Sequence, residues 1–412
     1  MGSWMSSKSA EANDVTNLAT LGYATLYNGP PKDYRVIHLL DSTLREGEQA
    51  PGVTFTHRQR LQIAWMLDYF GVDAIEISPI VSPDHMRSTK EIIGAGLEAD
   101  IVAHVRALKS DVDEALKCGA EWIAMYHSVS DIHLNYKLRV SRDEAVRRSV
   151  EAVEYAKSHG LKMRFTLEDA SRAEPEFLKF FAKSVAEAGA TRIGLPDTVG
   201  ALRPQGMFRM VKMISDVIDK PIDVHCHNDL GLALANSLAG VEAGADQIHV
   251  TINGLGERVG ITPLAEAAVA LKIFYGAKLD VRLNMLTELS QLVETYTGVA
   301  THPMAPLVGV NAYKHKAGTH VAAVLRSRAA YELLPPKLVG NRRRIIIGEL
   351  SGKNEAAFLL KLLGLEPDER IASNAALGLK NLRRGDLFEV ELTDEMEKLI
   401  LELDEAINKV QS

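Results

Sequence analysis

Eight times between Val36 and Thr251, a short run of apolar and β-branched residues is followed by a longer stretch with helical spacing. The short runs are Val36–Leu40, Ala74–Ser78, Ile101–Val105, Trp122–Tyr126, Lys162–Leu167, Arg192–Leu195, Ile222–Val224 and Gln247–Thr251. Strands that alternate with helices imply repeated βα units and a parallel sheet. Eight such units predict a closed (β/α)8 TIM barrel of the α/β class rather than an open doubly wound sheet. Arg58–Phe70, Arg142–Ser158, Glu174–Ala188 and Met207–Ile218 read as covering helices, with Gly71, Gly119, Gly160 and Gly189 at the exits of several units.

One barrel takes about 250 residues. A chain of 412 residues therefore predicts a barrel with an appendage. The alternation stops after Leu271, and Leu283–Tyr296, Asn354–Leu363, Ile371–Arg383 and Thr393–Val410 read as helices. The expected organisation is an N-terminal extension (1–33), a catalytic barrel (34–280), a Pro- and Gly-bearing linker (281–352) and a small helical C-terminal domain (353–412). The opening Met1-Gly2-Ser3-Trp4-Met5 has the look of a fusion remnant, the polar stretch from Ser6 to Asp33 is weakly patterned, and neither carries a fold expectation.

A net charge of -7 gives no electrostatic basis for binding nucleic acid or an anionic membrane. No apolar run approaches the roughly 20 residues of a membrane span. The two cysteines, Cys118 and Cys226, form no CxxC pair, which argues against a disulfide framework and fits a reducing cytoplasm.

In a barrel, chemistry collects where strands end and βα loops begin. The first strand leads into Asp41-Ser42-Thr43-Leu44-Arg45-Glu46-Gly47-Glu48-Gln49, and the seventh into His225-Cys226-His227-Asn228-Asp229. Side chains alternate across a strand, so His225 and His227 share one side and Cys226 takes the other. Such a pair is either a hydrogen-bonded core pair or part of a metal site. The strand-end position and the following Asn-Asp favour metal. With one carboxylate from another strand end, the two imidazoles make a site with positions left open for water or substrate. Nitrogen and oxygen ligands suit zinc, manganese, iron or magnesium.

Asp41–Gln49, His225–Gly231 and Gly254-Leu255-Gly256-Glu257-Arg258 closely resemble the signatures of the acyl-CoA condensing barrels, a family that includes 2-isopropylmalate, homocitrate and citramalate synthases. The resemblance runs from about Arg35 to Lys353. It implies that Arg45 contacts an oxo acid and stabilises developing negative charge, and that Glu46 joins His225 and His227 as the metal-binding carboxylate. Glu46 stands where isopropylmalate synthases typically carry Asp, and Ile261 where they carry an Asn ligand. Both departures match the homocitrate synthase branch. There, a His, an Arg and a Ser/Thr hold the distal carboxylate of 2-oxoglutarate, which maps to His104, Arg164 and Thr166.

An Arg on the sheet interior needs a buried anionic partner, supplied either by a dicarboxylate substrate or by Glu168 or Asp169. Asp131–Leu138 resembles an isopropylmalate synthase loop, and Leu230 stands where many homocitrate synthases have Thr. Length points back to homocitrate synthase, because the isopropylmalate enzymes usually continue into a regulatory domain. His315–His320 followed by Tyr331-Glu332 resembles a homocitrate synthase segment whose second His and later Tyr act in acid–base steps. These map to His320 and Tyr331, with Glu168 orienting His320. Gln49, Glu76 and Thr198 match positions that line the oxo-acid site or support it from behind. Arg342-Arg343-Arg344 reads as a solvated charge run, with CoA phosphates or a neighbouring subunit as the alternative.

Together the resemblance implies condensation of acetyl-CoA with 2-oxoglutarate to homocitrate on a divalent metal ion (Mg, Mn or Zn). It also implies a homodimer whose linkers carry His320 and Tyr331 into the neighbour's barrel, and lysine as a feedback inhibitor competing in the oxo-acid pocket. The rival readings are a 2-isopropylmalate synthase acting on 2-oxoisovalerate, a metal-dependent lyase or aldolase, and a catalytically silent amino-acid sensor.

Overall fold

The computed structural model describes residues 19–29, 35–381, 388–393 and 396. The chain divides into two compact units, one spanning Pro31–Thr301 and the other joining Met1–Pro30 to His302–Ser412.

The first unit is the barrel. Its strands are β1 (His38–Asp41), β2 (Ala74–Ile77), β3 (Asp100–Arg106), β4 (Trp122–Ser128), β5 (Lys162–Glu168), β6 (Arg192–Asp197), β7 (Ile222–Cys226) and β8 (Gln247–Val250). They pair in chain order, all parallel, and β8 closes onto β1 through Leu39–Ile248 and Asp41–Val250. All eight expected strands are present, with shifted ends. Val36 makes only an isolated bridge to Lys278, so β1 starts at His38. The strands β4 to β7 continue past their apolar runs into Ser128, Glu168, Asp197 and Cys226. Ladder hydrogen bonds belong to the backbone, so a polar side chain at the strand end does not stop the strand. That extension holds the polar ends rigidly.

Local capping sets the helix boundaries. The helix His57–Phe70 starts one residue before the apolar pattern because Thr56 and Gln59 form a capping box. The helix Pro204–Ser215 lies three residues ahead of its expected position, since Pro204 is preorganised for the first helical position. The four exit glycines named above all have positive φ. Leu40, Ala74, Val102 and Ala124 form an apolar plug inside the barrel near the strands' N-terminal ends. The helix Leu286–Thr297, expected in the linker, belongs to the barrel unit.

In the second unit, two expected helices appear as Lys353–Leu362 and Glu369–Lys380. Thr393–Val410 lies almost wholly outside the described residues. To the helices the structure adds a sheet of β9 (Lys314–His315), β10 (Arg344–Ile347) and β11 (Phe388–Glu391), in the order β11-β10-β9. Ile345 and Ile347 of β10 enter a core with Val321, Ala356, Phe358 and Leu379. The arginine run is not a free solvated patch. Arg343 is buried and its Nε donates to Glu332 at 2.6 Å, while Arg342 and Arg344 pair with Glu391 and Glu389. Of the N-terminal extension, residues 19–29 are described, and they join this unit, as Thr20 N donates to the Leu333 carbonyl at 2.9 Å. No helix among the described residues is long and apolar enough to cross a membrane.

Candidate functional site

The loop after β1 turns at once. The Ser42 carbonyl accepts from the N–H groups of Arg45, Glu46 and Gly47, and Asp41 Oδ1 accepts from Thr43 N at 2.8 Å. The turn brings Arg45 and Glu46 over the C-terminal mouth of the barrel. Arg45 Nε donates to Glu76 Oε2 at 2.7 Å and its Nη1 to Glu46 Oε2. Glu46 Oε1 accepts from Glu257 N at 3.0 Å. A Cβ on Gly256 would lie 3.0 Å from that Oε1 and 3.1 Å from Glu46 Cγ, so the glycine lets the loop close on the carboxylate. Arg258 of the same loop is clamped by Asp229 at 2.7 Å. The Gly-Leu-Gly-Glu-Arg signature thus holds Glu46 in place.

His225 ends β7 and His227 follows it, both buried. Their ligand atoms and a Glu46 oxygen lie within 4.8 Å of one another, with Nε2 of His225 and of His227 4.0 and 3.9 Å from the Glu46 carboxylate. Burial, then His227, hold His225 well below the ordinary imidazole pKa. Burial also lowers His227, against the pull of Glu46. Neutral imidazoles and an ionised carboxylate are the donor set a divalent cation needs. Ile261 is fully buried, bridges His227 through the backbone and offers no side-chain donor. Among the described residues the candidate metal site is therefore these three side chains.

Beneath it lies a buried ionic ladder. Glu76 accepts from Ser42 and Arg45 on Oε2 and from Arg164 Nη2 on Oε1. Burial raises the Glu76 pKa, but Arg45 and then Arg164 outweigh it and hold the group well below the carboxylate range. Arg164 Nε reaches Thr166 Oγ1 at 3.2 Å and lies 3.7 Å from Asp223. This corrects the expectation that Arg164 lacks a protein anion unless Glu168 or Asp169 supplies one. Its partner is Glu76 on a distant strand, which sequence proximity could not reveal. Gly194 on β6 makes room for Thr166, since a Cβ there would sit 2.9 Å from Thr166 Oγ1. His104 stacks on Tyr126 with ring centroids 4.9 Å apart. Burial, then Arg45, push its pKa down to about 3, so it is neutral.

The other expected residues are more dispersed. Glu168 accepts from Ser128 and, at 2.7 Å, from Lys137. Thr198 Oγ1 accepts from Asp169 N at 3.0 Å, a support of the loop. Gln49 is exposed in the short turn Gly47–Gln49. His320 and Tyr331 belong to the second unit, are both exposed, and stack on each other with centroids 3.9 Å apart. Sequence reading missed Tyr126, Lys137, Asp223 and His249. Asp223 lies two residues before His225, and His249 two before Thr251, so strand alternation alone would have placed them on the inward face.

Comparisons with known proteins bear on the family and the fold. The HMGL-like family profile matches residues 36–293, and the profile described as a homocitrate synthase post-HMGL domain matches 307–385. The chain is 44% identical over 347 residues to a probable 2-isopropylmalate synthase of Methanopyrus kandleri, covering 84% of this chain and 70% of the relative. It is 44% identical over 346 residues to a homocitrate synthase of Pyrococcus abyssi, covering 84% and 95%. An HMG-CoA lyase structure from Bacillus subtilis shares the fold at TM-score 0.60 and 19% identity, over 66% of this chain and 97% of that one.

Proposed function

Because the chain belongs to the HMGL-like family, in the group of 2-isopropylmalate and homocitrate synthases, we propose that it condenses acetyl-CoA with 2-oxoglutarate to give homocitrate and CoA. The observation that carries the substrate is the polar inner wall made by His104, Thr166 and Arg164. A distal carboxylate takes hydrogen bonds from such groups, whereas the methyls of a branched oxo acid would leave them unpaired. Arg164 already shares Glu76, so the substrate carboxylate adds to its partners instead of supplying the only one.

A divalent ion held by Glu46, His225 and His227 would supply Lewis acidity to the oxo acid. Arg45, fixed between Glu76 and Glu46, stabilises the negative charge that forms on the keto oxygen. His320 takes a proton from the acetyl methyl, and the resulting carbon nucleophile forms the new C–C bond at the keto carbon. The keto oxygen is then protonated. Water cleaves the thioester and CoA leaves as the thiol. Glu168 and Tyr331 orient His320, Tyr331 by stacking against it. Gln49 and Thr198 shape the rim of the oxo-acid site. The sites close across a homodimer, each barrel receiving the neighbour's His320 and Tyr331. Lysine, with a carboxylate and an amine to set against the same polar groups, is the feedback ligand. Buried, unpaired Cys118 and Cys226 suit a reducing cytoplasm.

Two observations favour a second reading, action on 2-oxoisovalerate. The charge of Arg164 is met inside the protein, and relatives named 2-isopropylmalate synthase are as similar as those named homocitrate synthase. The reaction class is tested by thiol release. Free CoA is expected to appear from acetyl-CoA only when 2-oxo acid and divalent metal are both present. Absence of release with every oxo acid, together with cleavage of a hydroxyacyl-CoA, would assign a lyase instead.

A further inference from the structure

Three buried side chains extend from the candidate metal site into the barrel. His225 Nδ1 lies 3.2 Å from His249 Nδ1, and His249 Nε2 lies 3.1 Å from Asp223 Oδ2. Asp223 Oδ1 in turn accepts from Arg192 at 2.9 Å. Asp223 and His249 are 0% and 1% exposed, so water does not compete for these contacts. The two rings stand nearly perpendicular, at 80°. His227 has no such support, as its Nδ1 is buried without a hydrogen-bond partner.

We propose that Asp223 and His249 are positioning residues that fix the orientation and tautomer of His225 for metal binding. His225 presents Nε2 toward Glu46, so that nitrogen must carry a lone pair when a cation binds. The proton of the neutral ring is then on Nδ1, facing His249 Nδ1. Two N–H groups cannot point at each other across 3.2 Å, so His249 Nδ1 accepts whatever else the ring does. Its own proton is left on Nε2 and is donated to Asp223.

A competitor is visible. Arg164 Nη1 lies 2.9 Å from the same His249 Nε2, a contact that needs the opposite tautomer, with Nε2 accepting. One nitrogen cannot donate to Asp223 and accept from Arg164 together. Metal loading therefore selects the Asp223 contact and releases this one bond of Arg164, while Arg164 keeps Glu76 and Thr166. No net proton is gained or lost. This inference rests on the three-ligand metal site but not on the identity of the oxo acid.

Two measurements test it. In protein labelled with 15N-histidine, the zinc-loaded state is expected to show His249 as the Nε2–H tautomer, the signal being assigned by its loss in His249→Asn. An Nδ1–H tautomer there would overturn the proposal, and this reading needs no variant to bind metal. The second is cobalt titration followed by its visible spectrum. His249→Leu removes the acceptor and should weaken cobalt binding by roughly 10- to 100-fold and shift the bands, while His249→Asn, whose Oδ1 replaces Nδ1 as acceptor, should stay within about threefold of the unmutated protein. Cobalt affinity unchanged in His249→Leu, or equally weak in both variants, would show a merely structural role. Absence of cobalt binding by the unmutated protein would instead defeat the metal site itself.

Discussion

Mixing and refolding two inactive chains, one His320→Ala and the other Glu46→Ala, is expected to restore activity to about a quarter of the sites in a two-fold dimer. Half of the dimers would be mixed, and in each of these one barrel keeps its own Glu46 and receives an intact His320. The expectation stems from where the residues lie. Glu46 sits on the barrel unit, whereas His320 and Tyr331 form an exposed stacked pair on the other unit. Activity is read as CoA release after refolding, against each variant treated alone. A mixture as dead as its parents, while size-exclusion confirms mixed dimers, would mean that each site draws both residues from one chain.

The second large effect concerns Arg45. Replacing it with Ala is expected to lower kcat by about 10²- to 10³-fold with a smaller change in KM, because a donor aimed at developing charge acts mainly in the transition state. Arg45→Lys should recover part of the loss. It keeps a charge but not the planar fork that now spans Glu76 and Glu46. The check is steady-state kinetics with both substrates varied, alongside a metal titration, since Arg45 also touches the candidate ligand Glu46. A kcat within tenfold of the unmutated value at full metal occupancy would remove Arg45 from the chemistry.

Much of this was legible in the residues because the barrel is a repeat and its signal is periodic. Each βα unit declares itself, and the strand-end rule then selects the Asp41–Gln49 loop and the His225 and His227 pair without any coordinates, while the choice of Arg45 and Glu46 within that loop rests on the resemblance to the condensing barrels. The strand ends were less legible, since Glu168 and Asp197 continue a ladder that apolar patterning does not mark. Pairing across the barrel was not legible at all. Arg164 and Glu76 are distant in sequence, and only closure of the sheet makes them neighbours, which is why the substrate seemed necessary to neutralise Arg164. The sheet of the second unit was missed for another reason. β9 has two residues and β11 is half-exposed, too short and too polar for alternation to register. Only β10, with Ile345–Ile347, carried a readable strand pattern.

Substrate identity is decided most directly by competition. Equimolar 2-oxoglutarate and 2-oxoisovalerate are offered with limiting acetyl-CoA and divalent metal, and the two product acids are quantified by mass spectrometry. Their ratio is the ratio of the two kcat/KM values, free of differences in enzyme activity between assays. The polar wall of His104, Thr166 and Arg164 predicts homocitrate in at least about tenfold excess, the equivalent of one charge-assisted hydrogen bond. A mixture dominated by 2-isopropylmalate would contradict it.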